Sequence, residues 1–244
     1  MRICLARTAI LAIAAAAMIA SAAAAATLAD FNAAAERAAA HYRVALGYLR
    51  TGNTDLAALE VERMRETWSA ISRDLAQPPP ELSKDVQLYR NTMLDISTRL
   101  VTASIMIDTG RPQIAADALR AIRNGLSDLR KANGVVVLAD CVRDANTAMD
   151  ALYVYNDRNL DWSRAGIAGD IAVKATAYGA ILKRCDGLAD SATRANPEFR
   201  RLIDGAAASL AQMPKATETR DAGLLHRLLI ELRAFDHLLA FRHG

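Results

Sequence analysis

Apolar residues recur at spacings of three and four along nearly the whole chain after residue 26, and alternation of apolar and polar residues never persists. This period is typical of amphipathic α-helices and not of strands. Glycine and proline clusters interrupt it at the places where helices end. The pattern predicts an all-α protein with about eight helices, at roughly 28–50, 54–76, 82–108, 112–132, 135–156, 161–189, 197–212 and 217–242.

The connections between these helices are short, so neighbouring helices should lie antiparallel as hairpins. Two architectures fit this pattern: one array of helical hairpins, or two packed four-helix bundles. Either way, the expected division is a segment at 1–26, a first helical half at 27–132 and a second helical half at 133–244.

The last predicted helix shows the clearest apolar face. That face comprises Leu225, Leu228, Leu229, Leu232, Phe235, Leu238 and Leu239. Charged residues should lie away from it or at its margins, namely Arg227, Glu231, Arg233 and Asp236.

An internal repeat is visible in the first half, where residues 48–58 align with residues 106–116. Gly52 and Gly110 occupy the same position in the two copies, where a left-handed helix C-cap is expected. A small residue precedes each glycine by seven positions and an alanine follows it by five: Ala45 and Ala57 in one copy, Ala103 and Ala115 in the other. Two helices of a hairpin should approach closely at these positions.

The spacing of Ala45, Tyr48, Gly52 and Ala57 resembles the helical hairpin of tetratricopeptide repeats. The second copy departs from it by having Met106 in place of Tyr48, and the separation of the copies is longer than the ~34 residues of that family. The resemblance implies binding of a peptide or protein in a groove, without catalysis.

The first 26 residues have the features of a secretory signal peptide: basic Arg2 and Arg7, an apolar stretch at 9–20 and a small-residue tail. Cleavage before Thr27 follows residues 24–26, and residues 21–23 are a rival site. Cys4 is removed in either case. An uncleaved N-terminal anchor helix is the alternative, but the pattern favours an exported protein in a bacterial periplasm.

Composition and charge exclude several classes of protein. The chain is 52% apolar with 12 glycines and 6 prolines, unlike collagen or a disordered chain. Without Arg2 and Arg7 the formal net charge falls from +3 to +1, and opposite charges alternate along every segment. We therefore expect no nucleic-acid partner, and without an apolar run of ~18 residues after the signal peptide we expect no stable membrane insertion.

Once Cys4 is removed, Cys141 and Cys185 are the only cysteines. An oxidising compartment favours their pairing. They lie on the apolar faces of the fifth and sixth predicted helices and are nearly equidistant from the turn between them, so an antiparallel hairpin brings them level. The sequence predicts an intramolecular Cys141–Cys185 disulfide.

Candidate chemistry is sparse, and we predict neither catalytic residues nor a cofactor or metal site. The histidines, His41, His226, His237 and His243, match no metal-ligand spacing. A non-covalent haem would need one of them together with a methionine from an apolar face, such as Met64, Met93, Met106 or Met149.

The sequence thus favours a periplasmic, non-catalytic interaction or accessory protein with a protein partner. The alternative is a carrier of a small ligand, haem or metal in the bundle core. An absorption spectrum with elemental analysis distinguishes the two.

Overall fold

The computed structural model describes residues 27–244; the predicted signal peptide at 1–26, with Cys4, lies outside the described residues. Within 27–244 the chain is all-α without a strand, which confirms the predicted fold class. The helices are α1 (Leu28–Thr51), α2 (Thr54–Asp74), α3 (Val86–Asp108), α4 (Pro112–Ala132), α5 (Leu138–Tyr153), α6 (Ile167–Leu188), α7 (Ser191–Ala195), α8 (Pro197–Ala211), α9 (Met213–Glu218) and α10 (Ala222–His243).

Two helices begin later than predicted because an aspartate caps each of them. α3 begins at Val86, after a 3₁₀ turn at Pro80–Leu82, and the Asp85 carboxylate accepts a hydrogen bond from the Leu88 amide at 2.9 Å. α10 begins at Ala222, where the Asp221 carboxylate accepts from the Leu224 amide at 2.8 Å. Each aspartate satisfies an amide that the first helical turn leaves unpaired.

The start of α6 was also predicted too early, because residues 154–166 form a loop. Asp157 and Asp161 accept hydrogen bonds from backbone amides two residues ahead, each at 2.9 Å, which favours local turns over a helix. Gly166, with φ of 81°, then directs the chain into α6.

The N-terminal half consists of α1–α4, packed around a core that extends from Phe31 to Leu129. Each helix contacts the next, and α1 also contacts α4. In its two long hairpins, α1 and α3 end in the same way, at a glycine with left-handed backbone: Gly52 has φ of 78° and Gly110 has φ of 69°. The predicted left-handed caps are therefore confirmed. All four alanines that flank these turns in the repeat have 0% exposure, so the helices do approach closely there: Ala45, Ala57, Ala103 and Ala115.

The C-terminal half consists of α5–α10, with a second core from Cys141 to Leu239. α5 packs between α6 and α10, and α8 packs against α10. Cys141 on α5 and Cys185 on α6 lie at disulfide distance, as predicted, with Cα atoms 5.4 Å apart and neither residue exposed.

A buried ion pair joins the two halves at their boundary. Arg130 in the last turn of α4 donates two hydrogen bonds, each of 2.7 Å, to the two carboxylate oxygens of Asp140 in the first turn of α5. Their side chains are only 6% and 4% exposed. This bidentate geometry fixes the direction in which α5 leaves α4.

None of the helices in the described part of the chain is long and apolar enough to cross a membrane.

Candidate functional site

A cleft of about 870 Å³ lies between the two halves. α1 and α4 form its wall on the N-terminal side, and α5 and α10 form its wall on the C-terminal side. Its volume lies within the range that small-molecule sites usually occupy.

Helix periodicity explains why several residues of one helix face the cleft. On α1, Arg43, Leu46 and Arg50 are separated by three and four residues and therefore share a face. On α10, His237 and Phe241 do the same. The two helices run in opposite directions across the cleft, because Arg43 donates a hydrogen bond to the Gly244 carbonyl oxygen at 3.2 Å while the charge of Arg50 acts on His237.

Five arginines line the cleft: Arg43, Arg50, Arg120, Arg123 and Arg233. Three of them make ion pairs of 2.6 Å, namely Arg43 with Glu36, Arg120 with Asp117 and Arg233 with Asp150. Among residues 27–244, no side-chain carboxylate lies within ion-pair distance of Arg50 or Arg123. The cleft therefore has an excess of positive charge.

Arg123 is half-buried between the cleft and a second cavity of about 420 Å³, which both halves and the connection between them also line. Its Nη2 donates to the Ala139 carbonyl oxygen at 3.2 Å, and its Nη1 contacts Asn146 Oδ1 at 3.5 Å. Its buried Nε has no partner among the described residues. Burial lowers the pKa of this guanidinium, and the charge of Asp140 opposes that shift.

Asp236 lies at the bottom of the cleft, and the prediction that it lies away from the apolar face of its helix or at the margin of that face is wrong. It has 0% exposure, and Asn146 on α5 donates a hydrogen bond of 2.8 Å to its Oδ1. Arg233 approaches its Oδ2 at 3.6 Å. Burial raises the pKa of Asp236 to about 6, against the opposing effects of Asn146 and Arg233.

At each end of the cleft, the charges of arginines act on the pKa of a titratable side chain. Burial lowers the pKa of His237, and the charges of Arg233 and Arg50 lower it further. Burial raises the pKa of Tyr42, which lies among the charges of three arginines that oppose this rise: Arg123, Arg120 and Arg43.

Apolar side chains separate these two charged ends. Leu238 and Phe241 on α10 line the cleft and are 39% and 43% exposed, and Leu46 faces them from α1. The expectation that Leu238 belongs to the core face of the last helix is therefore wrong. Its azimuth on α10 points into the cleft between the halves, where no helix covers it.

The histidines that sequence analysis considered as ligands lie apart. His41 Nδ1 is 2.7 Å from Glu60 Oε2, His226 accepts a hydrogen bond from Arg158 at 2.9 Å, and the His243 ring packs edge-on against Phe199 at 5.1 Å. Among residues 27–244 no three potential ligands come together to hold a metal ion.

The four methionines considered for haem differ in burial. Met64, Met93 and Met149 belong to the hydrophobic cores, and Met106 packs at the edge of the first core. Only Met64 also lines a cavity, the smaller one, which His243 lines too.

The cleft is not predictable from the sequence because its residues come from four helices, of which α1 and α10 are distant in the chain. The three-residue and four-residue spacing of Arg43, Leu46 and Arg50 was the available signal, but a polar residue on a helix face usually faces solvent.

Neither a known protein family, nor a characterised protein, nor a solved structure matches this chain. The arrangement of guanidinium, amide and apolar groups around an open cleft is suited to binding and orienting a molecule.

Proposed function

We propose that this is an exported, non-catalytic binding protein whose site is the cleft between its two halves. The observation that carries the proposal is the cleft itself, of about 870 Å³ and with charged and apolar groups facing each other. Such sites typically combine apolar walls with a few polar groups that orient the ligand.

Charge supports this assignment. Arg123 is half-buried with no side-chain carboxylate within ion-pair distance among the described residues, and its Nε lacks a hydrogen bond. A partly buried guanidinium without a counter-charge reduces stability, and a ligand in the cleft would offset that effect.

Two features support export to the periplasm. Residues 1–26 have the sequence pattern of a cleaved signal peptide. Cys141 and Cys185 lie at disulfide distance, and such pairs persist mainly in oxidising compartments.

A second candidate function is the binding of a protein partner, as the resemblance to tetratricopeptide hairpins implies. One face of α3 supports it, because Leu94, Val101 and Ile105 share an azimuth and are 69%, 44% and 49% exposed. Leu94→Glu combined with Ile105→Glu should abolish capture of that partner from a periplasmic extract. Cleft variants should leave that capture unchanged.

The cleft assignment is tested by filling the cleft. Gly47 lies on α1 in the cleft wall, and a Cβ added there meets nothing within 4 Å, so Gly47→Trp should fold and occupy the cleft. Gly169→Trp on α6 is the matched control, since that glycine is helical, equally free of contacts and outside the cleft. Native mass spectrometry of protein purified gently from the periplasm should find a small molecule on the wild type and the control only.

Two results would overturn the proposal: a wild-type protein that carries no small molecule, or a ligand that Gly47→Trp retains. The same preparation tests the haem or metal carrier, because a Soret band or stoichiometric metal would favour that alternative.

A further inference from the structure

We infer that the cleft binds an amphipathic carboxylate, with the carboxylate at Arg50 and the apolar chain between Leu46 and Phe241. This inference rests on the proposed function and names the ligand class for the same site.

The position of the carboxylate follows from the charges around Arg50. Arg50 is exposed in the cleft, and Arg233 and His237 lie nearby on α10. The charge of Arg233 is matched by Asp150 at 2.6 Å, whereas Arg50 has no ion pair among the described residues. At this end of the cleft Arg50 is the guanidinium without an ion pair among the described residues, whereas Arg123 lies at the opposite end, near Arg43. One such guanidinium matches one negative charge, which suits a carboxylate better than a phosphate monoester with its charge of about −1.5 to −2.

The position of the apolar chain follows from the antiparallel pairing of α1 and α10. Arg50 and His237 mark one end of the cleft, and Arg43 and Gly244 mark the other. Seven residues separate these ends on each helix, which is about 10 Å along a helix axis. Leu46 and Phe241 lie between the ends, so the apolar surface continues directly from the carboxylate position.

Two exposed apolar side chains on α10 support the second part of the inference, the alkyl chain of the ligand. Leu238 and Phe241 are 39% and 43% exposed, and both line the cleft. An alkyl chain of about 10 Å would cover them, and each methylene buried there favours binding. An eight-carbon acid has this length.

The probes are octanoate, its neutral isostere octanamide, octylammonium and octyl phosphate, with affinities measured by isothermal titration calorimetry on the mature, oxidised protein. Octanoate should bind at least about tenfold more tightly than octanamide, since a hydrogen bond to a charged group contributes that much. Octylammonium should not bind, and octyl phosphate should bind no better than octanoate.

Arg50→Gln should weaken octanoate binding about tenfold and leave octanamide binding unchanged. Arg73→Gln is the matched control, because Arg73 is an exposed arginine at the end of α2, outside the cleft and paired with Asp74. The NMR-detected pKa of His237 should rise when octanoate saturates the wild type, because a negative charge beside Arg50 offsets the charges that lower this pKa. Arg50→Gln should reduce that rise.

The experimental results distinguish a failure of this inference from a failure of the proposed function. Equal binding of octanoate and octanamide, with both abolished by Gly47→Trp, would overturn the carboxylate and leave the cleft as the site. Octyl phosphate binding far more tightly than octanoate would replace the carboxylate with a phosphate. Octanoate binding that Gly47→Trp leaves intact would overturn the placement of this ligand, and absence of binding by any probe would overturn the ligand class.

Discussion

The two halves of the molecule stabilise similar helical bundles by different means. In the N-terminal half, glycine caps at 52 and 110 end two helices alike, and buried alanines let each hairpin close. The C-terminal half has an irregular connection at 154–166 between α5 and α6 and joins these two helices by the Cys141–Cys185 pair. It also buries Asp236 completely.

The two halves differ in how far apart in the sequence their stabilising contacts lie: close together in the N-terminal half and far apart in the C-terminal half. The hairpins of the N-terminal half depend on turns of a few residues, so their stability is encoded close by in the sequence. The C-terminal half depends on pairs such as Asn146 and Asp236, which are 90 residues apart. Such contacts require a long stretch of chain to be closed into a loop before they contribute.

The largest test of this contrast is removal of the covalent link. Replacing both Cys141 and Cys185 with alanine should lower the free energy of unfolding of the mature protein by roughly 4 kcal/mol, because their separation of 44 residues gives the unfolded chain a large loop to close. Urea denaturation of the oxidised wild type and of the variant measures this. A reducing agent should destabilise the wild type and leave the variant unaffected; two freely alkylated thiols in the periplasmic protein would contradict the pairing.

The junction between the halves gives the next largest expected effect. Arg130→Met leaves the Asp140 carboxylate buried without its partner and should destabilise by about 3 kcal/mol. Burial raises the pKa of Asp140, but the hydrogen bonds and charge of Arg130 outweigh burial and hold that pKa below its ordinary value of 3.8. The stabilisation is therefore present above this value and is lost as pH falls through the lowered pKa.

Denaturation midpoints at pH 7 and below the ordinary carboxyl pKa measure the effect of Arg130→Met. The matched control is Arg99→Met, which removes an exposed arginine from its pair with Asp95 on α3 and should barely move the midpoint. Equal effects of the two variants at pH 7 would contradict the role of the buried pair.

Asp236→Asn should stabilise the C-terminal half, whereas the substitutions described above should destabilise the protein. The pKa of Asp236 is raised from 3.8 to about 6, so the folded protein is favoured by protonation and loses stability as pH rises through this window. Asparagine keeps an acceptor oxygen for Asn146 and removes the buried charge. At pH 8 the variant should gain about 3 kcal/mol in unfolding free energy, and the gain should shrink at pH 5. A gain independent of pH would contradict this account.

The glycine caps give the smallest expected effects and test the local encoding of the N-terminal half. Gly52→Ala and Gly110→Ala should each destabilise by about 1 kcal/mol, because φ of 78° and 69° strains a residue with a Cβ although no atom lies within 4 Å. Gly47→Ala, in the interior of α1, should have the opposite sign and add up to about 1 kcal/mol. Thermal melting of the three variants measures this, and unchanged melting of both cap variants would contradict the capping role.

The sequence predicts features that depend on neighbouring residues. The eight long helices follow from apolar periodicity, and Gly52 and Gly110 identify the turns that follow α1 and α3. Cys141 and Cys185 were found despite their separation because the signal peptide leaves them as the only cysteines and a hairpin places them level.

The candidate site was not predictable in the same way. Its spacing from Leu232 and Leu239 places Asp236 on the apolar face of α10, but a charged residue is usually exposed, and its burial depends on the hydrogen bond from Asn146 on α5. Leu238 is apolar but lies to one side of that face, and it faces the cleft because the two halves meet there incompletely. Periodicity gives the azimuth of a side chain on its own helix but not what lies opposite.

The central claim, that the cleft between the halves is a ligand site, is tested most directly by a crystal structure of the protein purified gently from the periplasm. We expect electron density for a small molecule between α1, α4 and α10, with an acidic group at Arg50 and an apolar part against Phe241. An empty cleft, or a ligand inside either bundle core or on the exposed face of α3, would contradict the account.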